Sequence, residues 1–152
     1  MPSPVPKLAP RHQRQPLTRS QMMARIRSKN TRPELLARAA VHALGLRFRT
    51  HVTTLPGNPD LANKAKRWAI FVHGCFWHSH GRCALASKPK SNAPYWTEKL
   101  RGNKKRDRLK LALLRAAGYR VLVLWECQTR DSQTLSKAVT DFFSDTSQLP
   151  RP

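Results

Sequence analysis

Apolar residues follow two rhythms along this chain. From Thr31 onward, Leu35, Leu36, Ala39, Ala40 and Ala43 recur every three to four positions, the spacing of one apolar stripe on a helix. Thr31-Arg32-Pro33-Glu34 stands ahead of them with capping-box spacing and a proline in the first turn, and Gly45 closes the segment. The pattern predicts a helix between those signals. Trp68 to Val72 and Tyr119 to Trp125 are short continuous apolar runs, the signature of buried strands. Leu46 to Thr53 reads as a further strand. Leu55-Pro56-Gly57-Asn58-Pro59 is turn chemistry, with Asp60-Leu61-Ala62 opening the next strand and Asn63 to Arg67 a polar turn. Ser20 to Arg27 suggests a short basic helix, and Leu135 to Phe143 a closing amphipathic one. Pro94 to Ala117 is mostly helical, with a potential break at Gly102, an apolar face at Leu109, Leu113, Ala116 and Ala117, and Gly118 as its stop. His73 to about Ala93 is left as a loop. Strands alternating with helices predict an α/β domain built on a small mixed sheet.

Length and composition narrow this picture. The 152 residues suit one compact domain. We expect one folded domain over 18–145, a proline-rich basic tail over 1–17 and a short tail over 146–152. No apolar run approaches the roughly 18 residues of a membrane helix, and the first 20 residues lack the apolar stretch of a secretory signal. The expectation is a cytoplasmic protein with no membrane partner. Three cysteines, an odd number, argue against a disulfide framework.

Charge changes the picture most. Lys and Arg total 29 against 8 acids, a formal net charge of +21. Such a surface attracts polyanions, and nucleic acid is the commonest one. The same excess makes each acid informative, because a carboxylate facing DNA weakens binding unless a cation offsets it.

Two constellations carry chemistry. Cys75, His80 and Cys83 lie close in sequence, and Cys127 follows the strand ending at Trp125. If the two apolar strands pair, these four residues can form a closed tetrahedral site, the structural zinc pattern; three unrelated buried thiols are the plain alternative. The second set is looser: Asp60 after its turn, His73 and His78 flanking the thiol loop, and Glu34 and Asp107 on helices. A carboxylate suits a hard ion such as Mg²⁺, and a histidine suits a general base. Singly, each has a structural reading: a turn residue for Asp60, half a capping box for Glu34, an ion-pair partner for Asp107, a strand-end histidine for His73. Phe76 and Trp77 sit in a polar loop, and Tyr95 and Trp96 open the basic helix. Apolar wedges beside positive charge can enter between base steps, or they can simply pack in a core. A zinc nucleobase deaminase is excluded, since it needs a His-x-Glu and a Pro-Cys-x-x-Cys, and neither occurs here.

Taken in order, Leu55-Pro-Gly-Asn-Pro-Asp60, Phe71-Val-His-Gly-Cys-Phe-Trp-His78, Tyr95-Trp96, Asn103 with Arg106-Asp107-Arg108, and Gly118-Tyr-Arg-Val-Leu-Val-Leu-Trp-Glu-Cys127 resemble the very short patch repair endonucleases, from about Leu17 to Phe143. The resemblance implies a restriction-endonuclease-like fold with a structural zinc site. It implies a monomer that recognises double-stranded DNA carrying a T:G mismatch, left by deamination of 5-methylcytosine, and nicks it 5′ of the thymine with Mg²⁺. A cytosine-5 methyltransferase and repair proteins are the implied companions. Carried over, Asp60 binds the metal together with the main-chain carbonyl of Val72, and His78 is the general base. His73, Asp107 and Glu34 support them. Cys75, His80, Cys83 and Cys127 hold zinc, and Phe76, Trp77 and Trp96 form a DNA wedge. One residue more than the family pattern separates His80 from Cys83, which bears on the choice of His80 over His78 as the ligand. The alternatives are a restriction- or homing-type nuclease on the same fold without mismatch specificity, and a non-catalytic zinc DNA-binding module.

Overall fold

The computed structural model describes Pro16 and residues 19–145. Apart from Pro16, the two expected tails lie outside the described residues. A four-stranded sheet of order β1-β2-β3-β4 organises the rest: β1 Arg49–Thr50, β2 Leu61–Asn63, β3 Trp68–His73 and β4 Arg120–Trp125. The first two pairings are antiparallel, and β3 and β4 run parallel with Val72 opposite Leu124 and His73 opposite Trp125. The predicted mixed sheet is present. No helix among the described residues is long and apolar enough to cross a membrane.

Alternation along the strands builds two cores. Leu61, Trp68, Ile70 and Leu124 face helices α2 (Arg32–Ala43) and α5 (Ser132–Ser144), meeting Ala37, Val41, Leu135 and Val139. Ala62, Ala69 and Phe71 face the other way, toward Leu114 on α3 (Ala93–Ala116). Burying each large side chain contributes roughly 1.5–3 kcal/mol, so the two layers together fix where β3 and β4 end. A short helix α1 (Arg19–Ala24) lies ahead of α2.

Three expectations change. The strand expected over Leu46 to Thr53 shrinks to two residues, because Leu46 and Phe48 turn into the core and His51 adopts a left-handed φ of +48°. Pairing continues past it only as His51 N–H to the Asp60 carbonyl and Val52 N–H to the Pro59 carbonyl. Helix α3 runs unbroken through Gly102. Its buried face is Trp96, Leu100 and Leu114, while Leu109 and Leu113 are 60% and 49% exposed. The helix is rotated so that Asn103, Asp107 and Lys110 share the inward side. Finally, an unforeseen short helix α4 (Glu126–Thr129) follows β4 directly and carries Cys127.

Candidate active site

Glu34 is fixed by its place at the start of α2. Thr31 caps the helix, its Oγ1 accepting from Glu34 N–H and donating to Glu34 Oε1 at 3.1 Å. The reciprocal backbone bond comes from Asn30 rather than Thr31, its N–H reaching Glu34 Oε2 at 2.9 Å. This shifts the predicted capping box by one residue. The carboxylate is buried (4% exposed) and lies 3.4 Å from Arg38 Nη2 and 3.5 Å from His51 Nε2.

Asp60 is held by the sheet. It precedes β2, and its Oδ2 accepts the Val72 N–H at 2.7 Å. Burial, reinforced by the nearby Glu34 charge, pushes its carboxyl up to about 6. A buried carboxyl that resists ionisation is a good seat for a cation, which would restore the charged form.

The imidazoles come from the end of β3 and the loop after it. His73 is buried, and its ring stacks on His78. Burial first, then the neighbouring His78 charge, lowers His73 to about 4. His78 is placed by a tight turn in which its N–H donates to the Gly74 carbonyl. Its Nδ1 lies 2.6 Å from Asp107 Oδ2 on α3. A proton on Nδ1 shared with that carboxylate leaves the Nε2 lone pair available. Asn103 ties the same loop to α3, donating to the Trp77 carbonyl at 2.9 Å.

These groups meet. Glu34, Asp60, His73, His78 and Asp107 line one cavity of about 210 Å³, with Lys110 on its wall. Three of the eight acids in a chain of net charge +21 thus face a single space. The grouping is finer than expected: His73, His78 and Asp107 form one close trio of donors, and Glu34, His51 and Asp60 another. No sequence signal marks His51, whereas Lys110 could have been found one helical turn beyond Asp107. A larger groove of about 730 Å³ between α2 and α5 is lined mainly by small and aliphatic residues such as Leu36, Ala40 and Leu135, so the chemistry points to the smaller cavity.

The thiol cluster sits beside it. Cys75 and Cys127 each lie two residues past the His73–Trp125 pair, so the parallel ladder brings them together. His80 Nδ1 is 3.5 Å from Cys75 Sγ and 3.4 Å from Cys127 Sγ, and Cys83 completes a set whose donor atoms all lie within 4.8 Å of one another. His80 stacks on Trp125 and faces the thiols, while His78 faces Asp107, which separates the two histidines despite the added residue before Cys83. Three sulfurs and one imidazole are a soft set that fits zinc. Burial raises the Cys75 thiol to about 12, so ligation is what would make it a thiolate.

Phe76, Trp77 and Trp96 pack edge to face or tilted against one another at 5.0 to 6.1 Å between centroids. Phe76 and Trp77 are half-buried and Trp96 is buried, so a single aromatic cluster abuts the loop.

Residues 12–85 match the family described as DNA mismatch endonuclease Vsr. The chain is 38% identical to the DNA mismatch endonuclease Vsr of Escherichia coli K12, over 82% of this chain and 80% of that protein. It is 47% identical to the type II nicking enzyme V.XorIIP of Xanthomonas oryzae, over 76% of this chain and 85% of that one. The chain belongs to the Vsr family. The type II nicking enzyme V.NmeAIP of Neisseria meningitidis is 37% identical over 74% of this chain, so Vsr relatives carry two kinds of name. Vsr is an endonuclease family, which implies a DNA substrate.

Proposed function

We propose that this Vsr-family chain nicks DNA on the 5′ side of the thymine in T:G mismatches by Mg²⁺-dependent phosphodiester hydrolysis, on a restriction-endonuclease-like fold. The observation that carries the reading is the convergence of Asp60, His73, His78 and Asp107 on one cavity beside the aromatic cluster. Asp60, with the Val72 main chain, would hold the magnesium ion, whose charge favours attack on the phosphate and departure of the leaving oxygen. His78 Nε2 takes a proton from the attacking water, and Asp107 holds the ring and stabilises the imidazolium that results. As the water oxygen bonds to phosphorus, the bond to the 3′ oxygen breaks, leaving a 5′ phosphate, and the departing oxygen takes a proton from solvent to become a 3′ hydroxyl. His73 and Glu34 shape the pocket around these groups. Cys75, His80, Cys83 and Cys127 would hold a structural zinc that pins the loop bearing His78. Phe76, Trp77 and Trp96 would enter the duplex next to the mismatch. The chain would act as a cytoplasmic monomer alongside a cytosine-5 methyltransferase and repair proteins.

Some relatives are named type II nicking enzymes, and a second reading is nicking that does not depend on a mismatch. One assay separates the two. Purified protein with Mg²⁺ is incubated with otherwise identical T:G and T:A duplexes. Nicking confined to T:G supports the first reading, equal nicking the second, and no nicking of either by folded, zinc-loaded protein rejects both.

A further inference from the structure

Helix α3 brings two opposite charges to the cavity wall. Asp107 and Lys110 are three residues apart, hence neighbours on one face, and both line the space that holds Asp60, His73 and His78. Asp followed by Lys at this spacing would ordinarily pair. Here Asp107 Oδ2 is committed to His78, and Lys110 has no hydrogen-bond or ion-pair partner among the described residues, although exposed Lys137 finds Asp141 and exposed Arg101 finds Glu98. Its charge nonetheless reaches the site, since it opposes protonation of His73.

The lysine stem is fitted in place. Gly57, in the turn ahead of Asp60, has φ of +79°, and a Cβ there would stand 2.9 Å from Lys110 Cβ and 3.1 Å from its Cδ. The bare backbone of the turn therefore lies along the aliphatic stem of this half-buried lysine, which lines the cavity wall. Its surroundings explain the need. A phosphate entering this space meets three carboxylates, Glu34, Asp60 and Asp107, and its charge grows as the bond to the leaving oxygen breaks. Among the described residues, Lys110 is the cationic side chain that lines the cavity.

We propose that Lys110 is a further catalytic residue, its ammonium binding a non-bridging oxygen of the phosphate that is cut, with Gly57 positioning the stem. The assignment rests on the nuclease reading above, and its test has a binding arm that works even without turnover. Wild type, Lys110→Gln and Lys110→Arg are compared for single-turnover nicking at saturating DNA, for melting temperature, and for DNA affinity across a salt series. Affinity is also measured on duplexes bearing one neutral methylphosphonate at a time around the nick position. Lys110→Gln should melt like wild type, nick about 10²-fold more slowly, and lower the slope of log Kd against log salt by about 0.9, one phosphate contact. Lys110→Arg should recover most of both losses. The affinity gap between wild type and Lys110→Gln should vanish on the duplex neutralised at the cleaved phosphate and persist on the others. An unchanged nicking rate, or a gap that persists at that phosphate, overturns the proposal and leaves the nuclease reading standing. Failure of wild type to nick any duplex sinks that reading, and the binding arm alone then decides whether Lys110 holds this phosphate.

Discussion

The imidazole of His73 lies flat against that of His78, ring centroids 3.9 Å apart and planes 8° from parallel. Two protonated rings so placed would repel strongly in a buried site, and His73, held at about 4 by burial and by its neighbour, is the one that stays neutral. On the proposed mechanism, proton transfer is thus left to His78. At saturating Mg²⁺, which keeps Asp60 ionised, the acid limb of log kcat against pH should have a slope of one in wild type and in His73→Gln. Substituting His78→Ala should lower kcat by about 10²- to 10⁴-fold. A slope of two would mean that both rings titrate during turnover.

The partner of His78 gives a second prediction. Asp107→Asn keeps the side-chain shape but removes the carboxylate that fixes the Nδ1 proton. Nicking at saturating DNA should fall by about 10²- to 10⁴-fold, with DNA affinity kept or slightly improved, because no phosphate contact is lost. An equal loss in Kd would assign Asp107 to binding.

Asp60 ties activity to stability. Its carboxyl titrates near 3.8 in an unfolded chain and near 6 in the fold, so the native state is the better proton binder between those values. That group costs stability as pH rises through this window, with the full cost present above it. Asp60→Asn should therefore abolish nicking and yet raise the melting temperature at pH 7.5 in magnesium-free buffer, the gain being on the order of 2 kcal/mol. The gain should fade toward pH 4, and added Mg²⁺ should stabilise wild type but not the variant. His73 works in the opposite sense: the unfolded chain protonates it first, so the fold loses stability as pH falls from 6.5 toward 4. A variant that melts lower than wild type at pH 7.5 would refute the strained-carboxyl account.

The thiol corner predicts a stoichiometry. Purified protein should carry one zinc per chain by elemental analysis, and Cys127→Ser should reduce that occupancy sharply. Because His80 lies on the Trp125 ring, stripping the metal should also change tryptophan fluorescence as the loop loosens. Full activity and an unchanged spectrum in metal-stripped protein would remove the pinning role.

The strands and major helices were legible where a pattern had one solution. Trp68 to His73 and Arg120 to Trp125 are uninterrupted apolar runs, and Thr31 to Gly45 carries both a start and a stop signal. The gathering of three thiols and one imidazole was also legible, because spacing confines Cys75, His80 and Cys83, and parallel pairing of two strands suffices to bring Cys127. What the pattern could not give was rotation and non-local approach. Helix α3 offers apolar residues on more than one face, and Leu109 and Leu113 lost to Trp96, Leu100 and Leu114 because the sheet side also had to receive Asp107. His51 meets Glu34 only through a left-handed residue at the end of β1, and nothing local announces that.

The pairing of β3 with β4 has a consequence for how such a chain can diverge. One residue added within Trp68–His73 or Arg120–Trp125 would turn every later side chain of that strand to the opposite face, dismantling the sulfur corner and the imidazole stack in a single event. Residues 81–92, between the histidine turn and α3, hold no strand register, and Arg82 there adopts φ of +55°. Natural length variation among homologues should therefore accumulate in residues 81–92 and spare the two strands, so that the imidazole pocket and the thiol corner are inherited, or lost, as one unit.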